Sequence, residues 1–156
     1  NGAAPAPGAR PALAQLPGKA AGIAALAMDI TEYLTKSGYA PTRMPPGLTV
    51  AYHSACSLQH GQKITAQPKE LLKKAGFTVV EPAEPHLCCG SAGTYNLDQP
   101  AIADSLGKQK AEAAIATGAQ TVATGNIGCL THLQSGMDKS VRHWIELVAE
   151  RIGQSS

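Results

Sequence analysis

The run Leu48-Thr49-Val50-Ala51-Tyr52-His53 is β-rich and short, and Cys56 follows it in a loop. A helix is expected next, with Pro68 in its first turn, an end near Ala75 and Gly76 just beyond. The same order of strand, loop and helix then recurs. Phe77 to Glu81 reads as a second strand, followed by a loop carrying Cys88, Cys89 and Gly90. A helix from about Gln99 to Thr117 follows, with Pro100 near its start and Gly118 after its end. Gln120 to Thr124 reads as a third strand, leading into the loop Gly125-Asn126-Ile127-Gly128-Cys129. A last helix is expected over Val141 to Ile152.

Strands that alternate with crossover helices imply an α/β fold with a parallel sheet, because a parallel return needs a long connection. The expectation is a short sheet of three to four strands with helices on its faces. In such sheets the functional loops gather beyond the carboxyl ends of the strands. Every cysteine of this chain lies just after a strand, so positions 56, 88, 89 and 129 are expected to meet at one edge.

Outward from this region the signals weaken. Residues 1–19 are rich in Ala, Pro and Gly and read as a flexible tail or linker. The opening Asn1-Gly2-Ala3-Ala4-Pro5 suggests a piece of a longer protein. Residues 20–47 read as a helix and a connector, the helix carried by Ile23, Leu26, Ala27, Ile30, Tyr33 and Leu34. Residues 48–156 form the expected cysteine-rich domain.

Composition removes several classes of function. The chain has 156 residues, 44% hydrophobic and 15% charged, with a net charge of +2. Lys and Arg are scattered, and one Trp, one Phe and four Tyr give no base-stacking platform, so no nucleic-acid partner is expected. No apolar run reaches the ~18 to 20 residues of a membrane span. No secretory signal is evident, so the cysteines read as ligands or redox thiols before structural disulfides. Neither a phosphate-binding loop nor a nucleophile–base pair is apparent, and no catalytic residue is assigned.

Four thiols suit a soft metal or an iron–sulfur cluster. His132 lies three residues after Cys129, so both share a face on a helical turn, and it reads as a ligand or as a support for the ligands. Adjacent Cys88 and Cys89 point apart and serve one small ion poorly, whereas two atoms of a larger cluster are within easier reach. Zinc is the second reading, and a vicinal disulfide or redox pair the third. His53, His60, His86 and Gly90 are expected around the site rather than in it. Gly90, Gly93 and Gly128 can leave amide groups free for cluster sulfurs, or serve ordinary turns. His143 reads as a helix-surface or packing residue, Trp144 with Ile145 and Val148 as core, and Asp98, Asp104, Lys108 and Glu112 as a solvated face.

At these residues the chain resembles the CCG (cysteine-rich) domains of iron–sulfur electron-transfer subunits. Such domains occur in heterodisulfide reductase, anaerobic glycerol-3-phosphate dehydrogenase, lactate-utilisation proteins and glycolate oxidase. The words Cys56-Ser57-Leu58-Gln59-His60-Gly61-Gln62-Lys63, His86-Leu87-Cys88-Cys89-Gly90-Ser91-Ala92-Gly93 and Asn126-Ile127-Gly128-Cys129-Leu130-Thr131-His132-Leu133 are similar to the C-terminal part of the glycolate oxidase iron–sulfur subunit. Ser140-Val141-Arg142-His143-Trp144-Ile145-Glu146 fits the same subunit, and the resemblance covers roughly Leu48 to Arg151. It implies an electron-transfer module whose cluster, a [4Fe–4S] centre in the first instance, is held by Cys56, Cys88, Cys89, Cys129 and His132. The implied partners are a flavin-bearing glycolate oxidase subunit and the rest of the iron–sulfur subunit, with its ferredoxin-like domain. Glycolate oxidation would belong to the flavin subunit, so no activity is expected of this piece alone. The implied location is cytoplasmic, with peripheral attachment at the inner face of the plasma membrane as a variant.

The departure from the family pattern is its last pair, normally Cys-x-x-Cys and here Cys129-Leu130-Thr131-His132. Relatives with five cysteines can hold noncubane clusters. For this set a four-thiolate cubane, a His-ligated cluster, a zinc site and an inherited but vacant site all stay open. A neutral imidazole in place of a thiolate would raise a cluster's potential.

Overall fold

Parallel pairing organises the chain. In the computed structural model, which describes residues 18–40 and 47–151, the strands are β1 (Thr49–His53), β2 (Thr78–Val80), β3 (Thr121–Thr124) and β4 (Val141–His143). They form one four-stranded sheet in the order β2-β1-β3-β4, and every neighbouring pair is parallel. The expected α/β architecture is thus present, with four strands. The helices are α1 (Lys19–Leu26), α2 (Ile30–Lys36), α3 (Gln67–Lys74), α4 (Tyr95–Asp98), α5 (Pro100–Ala116), α6 (Ile127–Ser135) and α7 (Trp144–Ala149). A π-helical turn spans Ser57–Gln62. Most of the expected tail, most of the connector and the last residue of the expected final helix, Ile152, lie outside the described residues.

The alternation of side chains along each strand divides the core into two layers. Ala51 and Val122 face α5 and α6, packing with Ala111, Ala114 and Leu133. Val50, Tyr52 and Ala123 face the other way, onto Leu71 and Leu72 of α3 and Trp144, Leu147 and Val148 of α7. After β2 the chain returns past β1 to form β3 on its other side. The carboxyl ends of β1 and β3 therefore border the crevice where the winding direction reverses.

Three local readings of the sequence are corrected. The helix expected from Ala20 to Lys36 is two helices, because Asp29 starts the second. Its side chain accepts from the Thr31 amide at 2.8 Å, and Glu32 accepts from the Asp29 amide at 3.0 Å. This capping box needs an extended residue at Asp29, which ends the helix before it. The loop expected around Cys129 is the first turn of α6, started by Asn126, whose side chain accepts from the Cys129 amide at 3.1 Å. Val141–His143, expected as helix, is strand β4. Its register with β3 pairs Val122 with Val141 and Thr124 with His143, and the Val122 amide donates to the Ser140 carbonyl at 3.0 Å.

Trp144 is fully buried at the start of α7. Its replacement by Ala should lower the unfolding free energy by about 3–5 kcal/mol, the usual cost of deleting a buried aromatic side chain. Equilibrium denaturant titration measures this. A loss under about 1 kcal/mol would mean that the α7 layer does not carry the core.

Candidate metal centre

His53 is the last residue of β1 and faces the α5/α6 layer, on the same side of the sheet as Ala51. It is 2% exposed, and its Nε2 has no hydrogen-bond partner. A ring nitrogen of His53 and the Sγ atoms of Cys89 and Cys129 all lie within 4.8 Å of one another, and all three residues are buried. Cys129 arrives from the first turn of α6, at a helix N-terminus, where partial positive charge favours a thiolate. Cys89 arrives from the loop after β2.

Cys56 and Cys88 stand beside this trio. Cys56 lies close enough to feel the charge of Cys88 and, more weakly, that of Cys89. All four cysteines are free thiols, with Cys56 and Cys88 half-buried. Convergence of residues 56, 88, 89 and 129 thus follows from three crossings of the sheet, all ending at the same edge.

The loop holding the cysteine pair is shaped by Gly90. Its φ of 91° is one that side chains rarely adopt, and an added Cβ would press into the backbone of Ala103 in α5. The turn puts the Gly90 amide 3.3 Å from Cys88 Sγ, and the Ser91 backbone favours the ionised form of Cys89. Such N–H groups stabilise negative sulfur.

The buried pair Cys89 and Cys129 shares a proton unevenly. Cys89 ionises well below the usual thiol range, because the Cys129 thiol donates to it, while burial opposes the charge and His53 and Ser91 assist. Cys129 is pushed far up by that same bond, by burial and by the neighbouring thiolates. Burial, then Cys88 and Cys89, push Cys56 up to about 11. A cation bound here would relieve this mutual repulsion. The residues therefore fit a thiophilic metal group: soft donors converge on one space, and a buried imidazole nitrogen in the same locus lacks a partner.

His132 is placed otherwise than Cys129. Its Nε2 lies 3.1 Å from the Ala103 carbonyl, and Gly107 makes room for the ring, since a Cβ there would sit 2.7 Å from that nitrogen. His132 thus bridges α6 to α5, and His53 is the imidazole beside the sulfurs. His60 is exposed and bonded to Gln59 at 2.9 Å, and His86 is exposed in the loop before the cysteine pair. The signal for His53 was its parity with Ala51 in β1, opposite to Val50 and Tyr52. Sequence reasoning missed Lys110 altogether. It lies in the buried stripe of α5 with Ala103, Gly107, Ala111 and Ala114, and that helical spacing was the available clue.

In metal-free protein the alkylation rate of Cys56 should keep rising from pH 9 to about pH 11, since the thiolate is the nucleophile and forms late. Mass-spectrometric labelling of this half-buried residue measures it. A plateau above pH 9 would contradict the crowding of thiols around Cys56.

Among the described residues no helix is long and apolar enough to cross a membrane. Residues 50–134 match the family model described as the CCG cysteine-rich domain. The chain is 39% identical over 134 residues to the glycolate oxidase iron–sulfur subunit of Escherichia coli (strain K12), a match covering 86% of this chain and 33% of that protein. It is 33% identical over 113 residues to a fumarate reductase (CoM/CoB) subunit of Methanothermobacter marburgensis, covering 72% of this chain and 23% of that one. For the probable glycolate oxidase iron–sulfur subunit of Bacillus subtilis (strain 168) the identity is 32% over 117 residues, covering 69% and 26%. The chain spans a third or less of the length of these relatives. With the matched segment running from β1 into α6 and holding all four cysteines, the chain belongs to the CCG cysteine-rich domain family.

Proposed function

We propose that this domain is an electron-transfer module of a multi-subunit 2-hydroxyacid oxidoreductase, with glycolate as the substrate of the complete assembly. The observation that carries the reading is the buried meeting of Cys89, Cys129 and His53, flanked by Cys56 and Cys88, at the reversal point of the sheet. Cys56, Cys88, Cys89 and Cys129 would hold an iron–sulfur cluster of the [4Fe–4S] class, and His53 would supply a nitrogen donor from the floor of the site. Such a cluster, when bound, takes up and returns one electron. The Gly90 and Ser91 amides support negative charge on the sulfurs.

The electrons would come from a flavin-bearing subunit, where the substrate is oxidised, and pass through the remainder of the iron–sulfur subunit to an acceptor. The names of the relatives support that assignment for the intact protein. A cytoplasmic setting, peripheral to the membrane, belongs to the same proposal, as does the division into a linker, a joining helical segment with its connector, and the cysteine-rich domain.

A zinc-stapled docking domain is the second reading. The compact His53, Cys89 and Cys129 set favours it, because three ligands within 4.8 Å suit a single tetrahedral ion. The adjacent Cys88 and the approach of Cys56 favour the larger group.

Iron, zinc and acid-labile sulfide should be measured on protein purified and reconstituted without oxygen. About four irons with matching sulfide per chain are expected, together with a broad visible absorption. Cys89→Ser should abolish loading, while His143→Ala should leave it intact. One zinc per chain without sulfide would replace the electron-transfer reading with the structural one.

A further inference from the structure

Lys110 is 3% exposed, midway along α5. An ammonium is expensive to bury unless negative charge answers it. The ion pairs among the described residues are Lys69–Glu81, Arg142–Glu146 and Arg142–Glu150, so no carboxylate among them pairs with Lys110. Its hydrogen bond runs instead to the main-chain carbonyl of Glu84, at 2.6 Å. The Glu84 side chain is exposed and accepts from Gln109 at 3.3 Å.

Lys110 lines a small cleft together with Glu84, Leu87 and Cys88. Its charge acts on the cysteines as theirs acts on it: burial lowers the Lys110 pKa, while Glu84, Cys56, Cys89 and Cys88 raise it. Glu84 has a φ of 50°, uncommon for a residue with a side chain, and its carbonyl also accepts from the Leu87 amide at 3.0 Å. Lys110 therefore clamps the tight turn just before the cysteine pair, within range of the charge of Glu84 and of Cys56, Cys89 and Cys88.

We infer that Lys110 is a positioning residue for the metal centre, the fixed counter-charge of the thiolate-bound cluster and the clamp on the turn that presents Cys88 and Cys89. The inference rests on the cluster reading above. A cation at this place favours the reduced cluster, which carries one more negative charge, and so raises its reduction potential. In the metal-free protein the same cation has less negative charge to answer it and is a liability to the fold.

The test compares the full chain with Lys110→Gln and Lys110→Met, all reconstituted without oxygen. Redox titration followed by electron paramagnetic resonance is expected to show the one-electron equilibrium of each variant shifted at least tenfold toward the oxidised state, about 59 mV. Metal-free variants should melt no lower than wild type. Variants that fold without metal yet fail to load also support the counter-charge. Loaded variants whose equilibrium stays within threefold of wild type would overturn the inference while leaving the cluster reading intact. If neither variant folds, Lys110 is a structural clamp only, and the charge assignment falls. A wild-type chain that takes up no iron or sulfide overturns the cluster reading, and this inference with it.

Discussion

The parallel pairing of β1 with β3, which sets His53 opposite Thr124, is the constraint on which the rest depends. It places the ends of two strands side by side where the winding of the sheet reverses, with a crevice beyond them. Cys56 follows one strand by three residues and Cys129 follows the other by five, so both reach that crevice without a long excursion. The loop after β2 brings Cys88 and Cys89 in from the neighbouring strand. A shift of one residue in β1 would turn His53 to the opposite face, toward α3 and α7, and away from the sulfurs.

Packing and electrostatics meet at this crevice. Small residues on α5 let it lie close: Ala103 touches the Gly90 turn, and Gly107 admits the His132 ring. That closeness buries two thiols, an imidazole and an ammonium together. A thiolate, an imidazole without a partner and an ammonium are each costly to bury alone. A thiolate-bound cationic group would reconcile them, because it would offset part of the negative charge of the sulfurs, offer the imidazole a partner and leave a residual negative charge for Lys110 to answer. The polar content of the site, rather than its shape alone, thus argues for an occupant.

Much of this was legible in the residues. Gly76 and Gly118, with φ of 94° and 74°, stand where the sequence placed helix ends, and the three strands preceding cysteine loops were readable from β-rich runs. The strand Val141–His143 was not, because three residues carry no period of their own and their strand character comes from β3. Its apolar spacing merged with that of Trp144, Leu147 and Val148 into one apparent helix. Asp29 and Glu32 did carry a capping signal, but the apolar pattern running through Ala27 masked it. At the site, the gathering of the cysteines could be read from their places after the strands, whereas which imidazole stands beside the sulfurs is set by tertiary packing. Both lie near a cysteine in sequence. The approach of α5 draws His132 to the Ala103 carbonyl and leaves His53 in the crevice.

The central claim is that His53 and the cysteines share one metal group at the reversal point of the sheet. The most direct measurement is nitrogen hyperfine coupling in the reduced, iron-loaded protein, by pulsed electron paramagnetic resonance with 15N-labelled histidine. A coupling from one imidazole that disappears in His53→Gln and persists in His132→Gln is the predicted result. A coupling that persists in His53→Gln and is lost in His132→Gln would contradict it, as would a loaded cluster with no nitrogen coupling at all.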